Sequence, residues 1–168
     1  IPKDPFPTKW RIIISKEVAY YNSLSAEEKK RFEYKVQEFL LNCKVTGVDT
    51  TVNINDKLLV ASSAIIPVFA FDDWKYTNIS EVLVYPSSFN EKFDTRGDDR
   101  FIAGMVGTGY MEGKMILSKH ALQLGFKNES DKKNTAIHEF VHLIDKISEH
   151  CFGYFKIGYD TILDRPDG

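Results

Sequence analysis

The sequence predicts an α+β domain in which helices precede and follow a small, mostly antiparallel sheet. Three observations predict it. Apolar residues recur at helical spacing in several segments as far as Ile65. Two short runs, Val82-Leu83-Val84-Tyr85 and Gly113-Lys114-Met115-Ile116-Leu117, have strand composition. An amphipathic helical pattern then runs from about Ser130 or Asp131 to about Glu149. No repeat, low-complexity tract or Gly/Ser linker divides the chain, so residues 1–168 are expected to form one domain. At 168 residues, roughly 70% of the unfolded surface can be buried, which is enough for a core without disulfide or metal staples.

Pro2, Pro5 and Pro7 predict an extended arm, followed by a short helix carrying Trp10, Ile13, Ile14, Val18 and Tyr21. Ser25 with Glu28 forms a capping box, because each side chain satisfies a backbone donor of the other. The helix it opens has Phe32, Val36, Phe39, Leu40 and Cys43 on one face, and Lys29, Lys30, Arg31 and Glu33 are expected on its wet side. Lys44 to Asp49 reads as a connector or short strand. Asn55-Asp56 is expected to cap a helix through Leu58, Leu59, Ala61, Ala64 and Ile65, whose nearly all-round apolar surface predicts the centre of the core. Pro86 stops the first strand, Phe89 to Arg100 reads as a loop, and Ser118 caps a short helix through Leu122 and Leu124.

Composition excludes several function classes. Lys plus Arg is 22 against 24 for Asp plus Glu, giving a net charge of −2, so there is no basic surplus for a nucleic-acid platform. Cys43 and Cys151 form no C-x-x-C, and free thiols in a reducing, cytoplasmic setting are the simpler expectation. The apolar stretch from Leu58 to Phe71 is too short and interrupted to cross a bilayer, so no membrane contact is expected. The chain opens at Ile1 and closes on Arg165-Pro166-Asp167-Gly168, and both ends are expected to be trimmed, with a C-terminal part missing.

The chemistry lies in His138-Glu139-Phe140-Val141-His142, an H-E-x-x-H sequence within the last helical pattern. Histidines four apart stand about 40° apart around a helix axis, so both imidazoles can reach one metal ion. Imidazole suits Zn2+, and a three-ligand zinc site leaves a position for water. Glu139 follows the first ligand directly and can take the proton of that metal-activated water. Chance placement would produce the pattern in roughly 0.6% of such chains, so it is a signal rather than an accident. An ordinary amphipathic surface helix would share the periodicity. It would not account for two histidines framing a carboxylate on the polar face.

The third ligand is not fixed by the motif. A Gly three residues after His142 would let a third His return to the metal, but position 145 is Asp and the next Gly is Gly153. Asp145 shares the histidine face yet lies about two turns from His138, which suits a hydrogen bond to a ligand histidine better than ligation. Asp160 and Asp164 are candidates in the tail, and the expected position lies beyond Gly168.

In order along the chain, Phe6-Pro7-x-x-Trp10-Arg11, Leu24-Ser25 with its capped helix, Val82 to Phe89, Gly113 to Ser118 and His138 to Asp145 resemble the MtfA-type (Mlc titration factor A) zinc peptidases. The resemblance implies a gluzincin-like metallopeptidase fold and aminopeptidase-type hydrolysis of short peptides. It implies His138 and His142 as zinc ligands, Glu139 as general base, and a third ligand Glu in a downstream helix for which this chain has no matching residue. It also implies, from at least one relative, a transcriptional repressor as partner. The expected mechanism has a peptide substrate adding to the edge of the Gly113–Leu117 strand, with Tyr154 or Tyr159 as candidate oxyanion donors. The alternative is a regulatory binding module on the same scaffold that sequesters a repressor with little or no hydrolysis.

Overall fold

The computed structural model describes residues 1–86, 104–106, 113–127 and 134–151. The predicted loop Phe89–Arg100 lies outside them, as do Asp160, Asp164, Tyr154 and Tyr159.

The expected first helix is two: α1 (Thr8–Glu17) and α2 (Ala19–Asn22), separated by Val18, which is extended (φ −119°, ψ 95°) and 1% exposed. Ser25 caps α3 (Ala26–Asn42) as predicted, accepting from the Glu28 amide while the Glu28 carboxylate accepts from the Ser25 amide. The wet side of α3 is narrower than its charge run suggests. Glu33 is buried under α1, where it accepts from Arg11 Nε and Nη2 at 2.7 and 2.8 Å and from the Tyr21 hydroxyl at 2.6 Å. Three donors replace the water that the carboxylate loses, which is why a charge is tolerated there.

Strand β1 (Lys44–Gly47) leads to α4 (Ile54–Ile65). Its cap is Asn53, two residues before the predicted Asn55, and Asp56 closes the capping box from the third helical position. Asp56 also receives Lys119 at 3.2 Å and Gln123 at 3.2 Å, tying the start of α4 to the later helix α5 (Lys119–Lys127). Leu58 through Ile65 are buried without a break, so α4 is the centre of the core, packed against α1, α3, α5 and the last helix.

The sheet is where the sequence reading needs correction. Its order is β1-β2-β4-β3, with β2 at Glu81–Tyr85, β3 at Gly104–Val106 and β4 at Lys114–Ser118. Among the described residues β1 pairs with β2 in parallel, β2 pairs with β4 in parallel, and only β3 with β4 is antiparallel. The sheet is therefore mostly parallel, not mostly antiparallel. Antiparallel neighbours can be joined by tight turns, whereas α4 intervenes between β1 and β2 as a crossover and returns the chain in the same direction. The burial of Met115, Ile116, Leu117 and Ser118 in succession fits a strand covered on both faces.

Candidate metal centre

Asn134 stands directly before the last helix, α6 (Thr135–Cys151). The Asn134 side chain accepts from the Ile137 amide at 3.1 Å, and its carbonyl accepts from the His138 amide at 3.0 Å. The cap thus stands directly before the first histidine. It is seated against Gly125 of α5, where a Cβ would come within 2.9 Å of Asn134 Cγ. The helical pattern of the sequence puts the helix start at Ser130 or Asp131, which lie outside the described residues, and does not announce this joint. Its one sequence signal is a Gly inside an otherwise helical run.

Ala136, Phe140, Leu143 and Ile144 form the buried face of α6. Phe140, between the two histidines in sequence, is wholly buried and meets Phe39 and Tyr76 edge-on at 5.8 and 5.5 Å. Anchoring that face turns His138 and His142 outward, and both are exposed. Their Nε2 atoms are 2.9 Å apart and their rings are nearly perpendicular, at 86°. Partial desolvation, and then the charge of His142, pushes the His138 pKa down, which favours the neutral imidazole that a metal requires. Glu139 and Asp145 are half-buried on the same helix.

At this distance one ring donates its Nε2–H to the other, and loss of that proton frees both nitrogens for a cation. Ligands at about 2.0–2.1 Å from zinc in tetrahedral geometry stand about 3.3 Å apart, so a small rotamer change fits the pair to the ion. The imidazole pair therefore fits zinc as two members of its donor set. Among the described residues no group of three His, Cys, Asp or Glu is gathered to hold a metal.

β4 lies between β2 and β3, which pairs with Met115, Ile116 and Leu117, so over these residues the Gly113–Leu117 segment does not offer the free edge that the sequence suggests. Among the described residues the terminal strand on that side is β3, unrecognised in the sequence, and it lies against α6. Among the described residues no helix is long and apolar enough to cross a membrane.

The histidine pair thus stands on a helix packed against a strand of a small mixed sheet, and the family comparison gives the class to which that arrangement belongs. The chain belongs to the glucose-regulated metallo-peptidase M90 family, whose profile matches residues 1–158, and the MtfA-type resemblance is borne out. It is also 25% identical over 160 residues to the uncharacterized protein slr2042 of Synechocystis sp., a match that covers 92% of this chain and 58% of that relative. The chain thus spans little more than half the length of this curated relative.

Proposed function

We propose that the protein is a zinc-dependent peptide hydrolase of aminopeptidase-like preference, with His138 and His142 as ligands and Glu139 as general base. The observation that carries it is the convergence of the two Nε2 atoms at 2.9 Å on the outward face of a helix lying against β3. A bound zinc ion supplies Lewis acidity, polarising a substrate carbonyl and acidifying water at the site. The backbone edge of β3 orients an extended peptide by strand addition, in place of the enclosed β4. The Glu139 carboxylate takes a proton from the attacking water and returns it to the leaving amine. Asp145, one turn beyond His142, holds a ligand imidazole in its tautomer. The free thiol of Cys43 suits a cytoplasmic setting.

The test is Glu139→Ala in the full-length protein, assayed on aminoacyl and internally cleaved fluorogenic peptides. Hydrolysis of the aminoacyl substrates should be lost while zinc content, measured by elemental analysis, stays that of the parent. Continued cleavage by the variant removes Glu139 from the mechanism. A scaffold that serves to sequester a repressor would instead retain its partner after the same change, and the parent would show no turnover to lose.

A further inference from the structure

The segment 71–80, between the turn that follows α4 and strand β2, has no regular structure, yet three elements hold it. From α3, Arg31 pairs with Asp72 at 2.7 Å, and Lys35 donates to the carbonyls of Phe71 and Asp72 at 3.0 and 2.8 Å. Midway, the Tyr76 hydroxyl donates to the Ala64 carbonyl of α4 at 2.6 Å while its ring lies against Phe39 and Phe140. At the far end, Asn78 Nδ2 donates to the Leu143 carbonyl of α6 at 3.3 Å. Asn78 Oδ1 is buried without a partner among the described residues, so among them the Leu143 bond alone orients this amide.

The Leu143 carbonyl lies one residue past His142, within α6, where the helix's own ladder already supplies a donor. A second donor from outside is not needed to satisfy it. What it adds is direction. Aromatic packing on Phe140 resists separation of the helix but tolerates small rotations, whereas a hydrogen bond to a backbone carbonyl fixes the helix about its axis. At the 5–6 Å radius of helical side chains, a rotation of about 10° moves a side-chain tip by about 1 Å. Metal–ligand distances tolerate only about 0.2 Å. Both histidines ride on one helix, so rotation would preserve their separation and change their aim toward β3 and toward any further ligand.

We infer that Asn78 is a positioning residue for the metal centre: its amide sets the rotation of α6, and through it the aim of His138 and His142. This rests on the metal-site reading above. The experiment is Co2+ binding by the full-length protein, followed by visible absorption, for the parent, Asn78→Asp, Asn78→Ala, Glu33→Gln and His138→Ala. Asn78→Asp keeps the shape and loses the donor. Asn78→Ala adds no charge and covers the case in which a buried Asp does not fold. Both should weaken Co2+ binding about tenfold and alter the absorption spectrum. Glu33→Gln, a destabilising change remote from α6, should leave both unaltered. Parental affinity in the Asn78 variants, or an equal loss in Glu33→Gln, overturns the inference. If His138→Ala binds Co2+ as the parent does, the metal reading fails and the inference with it. If His138→Ala loses binding while the Asn78 variants keep it, only the positioning role is lost.

Discussion

The carboxylate of Glu33 takes both forks of Arg11 and the hydroxyl of Tyr21 beneath α1, and this fixes its pH response. Burial alone would raise its pKa, but the bonds from Arg11 and Tyr21 outweigh that and hold it below the ordinary 4.5. The unfolded chain therefore binds a proton here before the folded one does. Stability is fully present above pH 4.5 and is lost as pH falls through the depressed folded value. Tyr21 supplies the opposite limb. Burial, then its bond to Glu33, pushes it from 10.0 to about 12, so its contribution is present below pH 10 and lost as pH rises toward 12. Thermal melts across pH should show both limbs in the parent. Glu33→Gln should flatten the acid limb and lower stability by about 1–3 kcal/mol near neutrality. Neither residue was legible as a pair in the sequence. They lie on different helices, and helical spacing gives only the neighbours within one element.

At the scale of elements, the joint between α5 and α6 inverts a familiar rule. Ala is better than Gly in a helix interior by about 1 kcal/mol. At Gly125 the new methyl would sit 2.9 Å from Asn134 Cγ, and the Asn134 backbone is also near, with Cα at 3.2 Å. Relief requires Asn134 to move and surrender its bond to the Ile137 amide, a cap contribution of about 0.5–2 kcal/mol. The loss offsets the usual gain, so Gly125→Ala should range from neutral to about 1 kcal/mol destabilising in a chemical denaturation curve, and a midpoint raised by the full helix-propensity gain would show that the joint is looser than described. The helices themselves were readable, because capping boxes and apolar periodicity are local: Ser25, Ser118 and the apolar face of α6 fell where the pattern placed them. Strand direction was less so. The helix between β1 and β2 already implied a parallel pair, but β3, three residues with two small or flexible side chains at Gly104 and Met105, has too little composition to announce a strand.

For the molecule as a whole, the legible part of the site was the part contained in one helical turn. H-E-x-x-H specifies the mutual placement of His138 and His142 by helix geometry alone, and the Nε2 separation of 2.9 Å agrees. What positions that turn, namely Asn78, Tyr76 and Gly125, comes from segments distant in sequence that carry no motif. Metal binding should couple to global stability by mass action. Zn2+ at a hundredfold excess over its dissociation constant should add about 2.7 kcal/mol, or about 5–10 °C in melting temperature. The His138→Ala protein should show no such shift, and an equal shift in both would place the ion elsewhere.

Helix α4 is enclosed by four other helices, and its residues Leu58, Val60, Ala61 and Ala64 have no exposed surface. A segment wrapped in this way has no private route to solvent, and its amides can trade with deuterium only when its neighbours have come away. The slowest-labelling peptide in the chain should therefore span 58–65, at a rate that tracks complete unfolding in added urea, while the end strand β3 labels through lesser openings.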